Sequence, residues 1–329
     1  MRNFKTRFTP LSLLLVSIAF ASSIPLNADA SQLNEGERYT LTIMHTNDIH
    51  GRVDNLPKYS TIIKDTKKNT SLNILVLDGG DIFLRGEFQT LQGIPEIEMM
   101  NVMGYDALSC GNNDFRVPPA GGTPIDGNNQ LKALSETAKF PILSANVKMK
   151  DGSQYSEFLK PYIVKEIRGV KVGIIGITSL KPQDRGWAEV SDKVFESGEI
   201  TLRNIIETVR READVVIVLS HAGLAVDLSM AGISGISAVI GADDHLVMPK
   251  PIFYTNGNGE KGIPIVQNGG EIEHYLRRLD LTFQKTGSIM KLVDYDSRFY
   301  NNIESIKEDI DVRNIIDEYR KLEALKPAA

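Results

Sequence analysis

The sequence predicts an α/β fold, a mixed β-sheet covered by helices. Short apolar, β-rich runs alternate with helical patterns along 329 residues. Two late runs flank a turn signal, so antiparallel strands join the parallel ones. Polar residues collect just past the apolar runs, where open α/β sheets bind ligands.

The elements follow in order. Tyr39–His45 and Asn73–Leu77 read as strands, with helical spacing over Pro57–Lys68 between them. Glu96–Met103 reads as a short helix and Asp106–Ser109 as a strand. Arg116–Asn129 is rich in Pro and Gly and reads as an irregular loop. Val170–Ile177 is a strand, Leu202–Arg211 a helix and Val215–Leu219 a strand. Val239–Ile240 and Pro264–Val266 are further buried strands. Tyr275–Phe283 and Ser288–Tyr295, separated by Gln284-Lys-Thr-Gly287, form a hairpin. A polar amphipathic helix over 302–326 ends the chain.

The N-terminus predicts export. Arg2, Lys5 and Arg7 precede a short apolar stretch, Leu11–Ala21, and Ala28-Asp29-Ala30 fits signal-peptide cleavage. The stretch is shorter than the roughly 20 residues a membrane span needs. Residues 1–30 are therefore expected to be removed, giving a secreted or periplasmic protein with no membrane attachment. The composition, 42% hydrophobic and 24% charged, can fill a sizeable core. A net charge of −5 excludes the basic footprint of a nucleic-acid-polymer binder. Cys110 is the only cysteine, so no intramolecular disulfide can form, and its apolar setting predicts a buried structural thiol.

Seven polar residues stand where five apolar strands stop: Asp48, His50, Asp81, Asn112, His221, Asp243 and His245. Glycines 79, 80, 111 and 241 let the backbone turn sharply beside them. Carboxylate oxygens and imidazole nitrogens suit Mn²⁺, Fe or Zn²⁺. A carboxylate can bridge two ions, and a pair about 3.5–4 Å apart clamps both oxygens of an in-line displacement. The absence of thiolates excludes a cysteine-type structural zinc.

Leu41-Thr-Ile-Met-His-Thr-Asn-Asp-Ile-His-Gly51 resembles the opening of the 5′-nucleotidase branch of the calcineurin-like metallophosphoesterases. The resemblance continues through Asp78-Gly-Gly-Asp81, Gly104–Leu108, Gly111-Asn112, Pro141–Val147, Val215–Gly223 and Gly262–Gln267. It implies a four-layer α/β/β/α sandwich with two mixed sheets. It also implies two divalent ions, of Mn, Zn, Fe or Mg. Asp48, His50 and His245 would hold one ion. Asn112 and His221 would hold the other, with Asp243 in place of the family's remaining histidine, and Asp81 would bridge. Residues 31–300 would be the catalytic domain, and 301–329 a helix like the family's interdomain linker, without the nucleoside-gripping second domain.

Three departures stand out. The family's third motif is Gly-Asn-His, whose histidine assists the transition state or the leaving group, and here that residue is Asn113. The partner aspartate three residues on is Arg116. The last motif, usually Gly-His-x-His, is Gly241-Ala-Asp243-Asp244-His245. Asn113 can donate a hydrogen bond but cannot titrate near neutrality, whereas Arg116 matches phosphoryl charge. Asn113 and Arg116 are thus the expected catalytic positions, with reduced activity. The resemblance implies hydrolysis of a small phosphomonoester or phosphodiester by a metal-bound hydroxide. Two alternatives stay open: a metal-binding protein without catalysis, and a thiosulfohydrolase-like enzyme of the same branch.

Overall fold

The computed structural model describes residues 33–69, 71–116, 127–153, 158–255 and 262–325. The expected signal peptide lies outside them. So does most of the expected 116–129 loop, whose last residues, from Gly127, instead begin a helix.

The strands are β1 (Arg38–Thr46), β2 (Asn73–Asp78), β3 (Ala107–Ser109), β4 (Ile142–Leu143), β5 (Val147–Met149), β6 (Leu159–Lys160), β7 (Tyr162–Ile167), β8 (Val170–Thr178), β9 (Lys193–Phe195), β10 (Val215–His221), β11 (Ala238–Ile240), β12 (Ile252–Tyr254), β13 (Ile263–Val266), β14 (Leu276–Thr286) and β15 (Ile289–Tyr300). The α-helices are α1 (Leu56–Lys68), α2 (Ile94–Met103), α3 (Gly127–Thr137), α4 (Lys181–Asp184), α5 (Gly198–Glu212), α6 (Leu224–Ala231) and α7 (Ile310–Ala324).

One sheet runs β15-β14-β1-β2-β3-β4-β6 and the other β12-β13-β11-β10-β8-β7. Both are mixed. β1 pairs parallel to β2 but antiparallel to β14, and β8 pairs parallel to β10 but antiparallel to β7. Alternation along each strand sends side chains to opposite faces. Leu41 and Ile43 of β1 meet Val172 and Ile174 of β8 in a core between the sheets. On the far side of the first sheet, Met44 and Val76 pack with α1, α2 and Val312 and Ile316 of α7. On the far side of the second, Ile175 and Ile177 pack with Leu202, Ile206 and Met230 of α5 and α6. Helices thus cover both outer faces, giving the four-layer α/β/β/α order.

The final helix is shorter than its amphipathic pattern predicts. It starts at Ile310 because Asp309 caps it, accepting a bond from the backbone N–H of Asp311 at 3.1 Å. It docks along the first helical layer, with Asp309 bonded to Ser60 and Lys64, and Arg320 to Glu87 and Asp54. The short strands β4 to β6 and β12 were invisible to periodicity because two or three residues carry no period.

Candidate metal centre

The seven predicted residues all come together at the carboxyl ends of β1, β2, β3, β10 and β11. His221 is the last residue of β10, not a residue beyond it. The sheets close on each other here: a β-carbon on Gly79 would fall 2.8 Å from that of Ala242. The Gly79 carbonyl accepts from Nδ1 of His221 at 2.7 Å, and the N–H of Asp243 donates to Asp48 Oδ2 at 3.0 Å.

Five of the seven hold left-handed backbone: Asp48 (φ 49°), His50 (45°), Asp81 (58°), Asp243 (82°) and His245 (56°). Such φ is uncommon outside glycine and costs about 1–3 kcal/mol per residue. Tight turns immediately after the strands aim these side chains inward. The strain is offset by packing elsewhere, and it concentrates where a site must be pre-organised.

Two donor groups result. Asp48, His50 and His245 form one, and Asp48, Asp81 and His221 the other, each with its donor atoms within 4.8 Å of one another. Asp81 Oδ2 stands 3.3 Å from His221 Nε2 and 3.7 Å from His50 Nε2, so both aspartates border both groups. Nε2 of His245 is 3.3 Å from Asp48 Oδ1 and 3.1 Å from Nε2 of His50. Asp243 Oδ1 lies 3.6 Å from His221 Nε2. One terminal atom of the Asn112 amide is 2.7 Å from Asp243 Oδ1. Nitrogen there makes a hydrogen bond. Oxygen there is stable only with a cation between the two oxygens.

The donor set fits divalent ions. Asp48 Oδ1 and His221 Nε2 are fully buried and have no hydrogen-bond partner, a costly state that a cation would relieve. The carbonyl of Gly79 can only accept, so the His221 proton sits on Nδ1 and the Nε2 lone pair faces the aspartates when the ring is neutral. The Leu84 carbonyl, 3.1 Å from Nδ1, does the same for His50. The His245 side chain is 35% exposed, which opens this end to solvent.

Charge shapes the protonation states. Burial pushes His221 down, but the carboxylates of Asp81, Asp48 and Asp243 outweigh it and hold its pKa well above the usual value. In the metal-free protein a proton on His221 balances the aspartates that cations would otherwise balance. Burial pushes Asp81 up, and His221, His50 and the Asn113 amide override it, holding it below the usual carboxylate range. His50 is lowered mainly by burial, against Asp81 and Asp48, with Arg85 adding to the lowering.

The two altered motif positions diverge. Asn113 grips Asp81, its backbone N–H on Oδ1 at 2.7 Å and its amide on Oδ2 at 2.6 Å. Arg116 lies over the Trp187 ring at 4.5 Å and 3.9 Å from Glu189.

Sequence reading missed three supports. Asp114 is buried and accepts from the N–H groups of Gly111, Asp81 and Ile82 at 2.8, 3.0 and 3.1 Å, bracing two site loops. Its signal was its place two residues after Asn112. Lys181, at the start of α4, puts its ammonium 2.6 Å from Asp243 Oδ1. Fully buried Arg277 bonds Asn268, which in turn bonds His45 beneath the site. No motif marked either cation.

Comparison with known proteins agrees with the fold. Residues 41–247 match the model of the calcineurin-like phosphoesterases. Trifunctional nucleotide phosphoesterase YfkN of Bacillus subtilis (strain 168) is 30% identical over 280 residues, covering 76% of this chain and 18% of that protein. The 5′-nucleotidase of Rattus norvegicus is 27% identical over 318 residues, covering 86% of this chain and 52% of that protein. The crystal structure of a 5′-nucleotidase precursor from Thermus thermophilus superposes with a TM-score of 0.73 at 24% identity. It covers 87% of this chain and 60% of that one, a likeness of fold. The chain thus spans less than two thirds of each of these relatives.

Proposed function

The chain belongs to the calcineurin-like phosphoesterase family, and from that premise we propose that it is a 5′-nucleotidase-like enzyme that hydrolyses a small phosphomonoester or phosphodiester at a centre of two divalent ions. The seven residues Asp48, His50, Asp81, Asn112, His221, Asp243 and His245 hold the pair, with Asp81 between them. The observation that carries this reading is the pair of buried atoms without a hydrogen bond, Asp48 Oδ1 and His221 Nε2, each 3.3 Å from another group of the same cluster of hard and borderline donors, His245 Nε2 and Asp81 Oδ2.

Ions bound there supply Lewis-acid stabilisation of phosphoryl charge and activation of water. The chain's own residues do the rest. Gly79 and Leu84 carbonyls fix the histidine tautomers, Asn113 holds Asp81, and Asp114 braces the loops. Asn113 cannot protonate a leaving group, so catalysis favours esters whose leaving groups need no proton. Residues 31–300 form the catalytic unit, delivered outside the cytoplasm after removal of residues 1–30. Among the described residues no helix is long and apolar enough to cross a membrane.

The test is elemental analysis of chelator-free protein, followed by Mn²⁺-dependent hydrolysis of p-nitrophenyl phosphate and its bis ester. Two ions per chain and turnover of either ester support the reading. Metal binding without turnover of any phosphate ester overturns it in favour of a non-catalytic binder.

A further inference from the structure

Two arginines on the rim of the centre converge on one carboxylate. Arg52 Nη2 lies 3.2 Å from Glu271 Oε1, and Arg85 Nη1 lies 2.8 Å from Glu271 Oε2. Each of the three belongs to a loop that builds the centre. Arg52 is two residues past His50. Arg85 follows Leu84, whose carbonyl orients His50. Glu271 follows Gly270, which packs so closely on His245 that a β-carbon there would fall 2.2 Å from the ring. The loops of Arg52 and Arg85 touch backbone to backbone, since a β-carbon on Gly86 would meet Gly51 Cα at 2.4 Å. Arg85 itself has φ 82°, an uncommon conformation for so long a side chain. Its charge is felt by both His50 and His245. The guanidiniums are therefore carried by the same rigid backbone as the centre.

The triad is unbalanced in charge, with two cations on one anion. Arg52 is 51% exposed and Arg85 47%, so their bonds to Glu271 lie near solvent, where ion pairs are weak and exchange readily. Each guanidinium carries five N–H donors in a fork that fits carboxylate and phosphate alike. A phosphate dianion offers more charge and more oxygens than the Glu271 carboxylate it would displace. A groove of about 520 Å³ opens beside Arg52, lined also by Glu271, His274, Asp54, Glu87 and Arg320, while Arg85 lies outside its lining.

We infer that Arg52 and Arg85 form a second anion site, occupied internally by Glu271, that binds a phosphate group of the substrate other than the one being cleaved. The ligand class is a small molecule with two phosphate groups. The inference rests on the phosphoesterase reading for its biological role, but binding alone tests it.

The probes are non-hydrolysable α,ω-alkanediphosphonates, methylene to propylene, compared with methylphosphonate by calorimetry on Mn²⁺-loaded protein. At least one diphosphonate should bind about tenfold tighter than methylphosphonate, in line with one added charge-assisted contact. Arg85→Ala and Arg52→Ala should each abolish most of that ratio, leaving methylphosphonate binding and metal stoichiometry unchanged. Glu271→Gln should enlarge it, because the internal competitor loses its charge. The same ratio in wild type and both arginine variants, or a smaller ratio in Glu271→Gln, overturns the site. An arginine-dependent ratio in a protein that hydrolyses no phosphate ester would leave the site standing and remove the hydrolase reading. Turnover without an arginine-dependent ratio would do the reverse.

Discussion

The ammonium of Lys181 lies 2.6 Å from the Asp243 oxygen that stands 3.6 Å from His221. The resemblance read from the sequence implies a histidine, neutral as a ligand, at the position of Asp243. Asp243 and Lys181 together carry the same net charge as that histidine, so the substitution leaves the local balance intact. The ammonium also holds an oxygen that a metal would need, and repels an incoming cation.

Removing that ammonium should therefore favour metal. Lys181→Met is expected to tighten Mn²⁺ binding by about fivefold, a screened and partly exposed charge being worth ~1 kcal/mol here. The metal-free variant should melt lower than wild type, because Asp243 loses its partner. Calorimetry and melting with and without Mn²⁺ check both. Unchanged affinity would show that Lys181 does not compete.

Asp81 borders both donor groups, so Asp81→Ala should lower occupancy from two ions to one or none. Asn112→Ala should mainly weaken one ion, by at least the roughly 10–100-fold that loss of a partner outside the ligand set costs. Metal analysis across a Mn²⁺ titration separates these outcomes. Stoichiometry that never exceeds one in the wild type refutes the two-ion centre.

Substrates should divide by leaving group. Nitrophenyl esters should be hydrolysed measurably, whereas alkyl and nucleoside monophosphates should lag by up to about 10²–10⁴-fold, the usual cost of a missing general acid. Asn113→His with Arg116→Asp should help the poor leaving groups most. It also sacrifices the Arg116–Trp187 contact, at about 0.5–1 kcal/mol of stability. Arg116→Ala should change rates little, and a uniform loss on every substrate would instead assign it charge stabilisation. Equal wild-type rates on nitrophenyl and nucleoside esters would refute the account of Asn113.

Glu96, which is not one of the donors, provides a pH test. Its carboxylate is fully buried in α2, neither oxygen has a partner, and burial, with Glu87 and Asp114 adding, pushes its pKa up to about 8. The unfolded value is near 4.5. A raised folded pKa means that the folded state holds the proton more tightly. That stability is present in full below pH 4.5 and is lost as pH rises through about 8, at ~1.4 kcal/mol per pH unit. Glu96→Gln stays neutral, so it should melt higher than wild type at pH 8.5, with the gap closing at pH 5. Parallel melting curves would show that Glu96 is not protonated in the fold.

The helices and longer strands were legible because their periods are long enough to count. β1, β2, β8, β10, the β14–β15 hairpin, α1 and α5 appear close to where apolar spacing places them. The seven candidate site residues could be singled out for a different reason. A strand ending in a polar residue and a glycine leaves a mark in a single line of sequence, and five such marks agreed. The family resemblance then assigned them roles that spacing alone could not. The left-handed backbone at five of them left no mark, since aspartate and histidine do not announce φ as glycine does.

By itself, then, the sequence determined the layered α/β class, the strand ends that carry donors, and the chemical type of those donors. These are local properties, written in periods and in residues a few positions apart. Only the tertiary structure decided which charges face which. Lys181 meets Asp243 across 62 residues, Arg85 meets Glu271 across 186, and Arg52 meets the same carboxylate across 219. No period or motif links such positions. They meet because two sheets stack face to face and bring the loops beyond their strands to one edge.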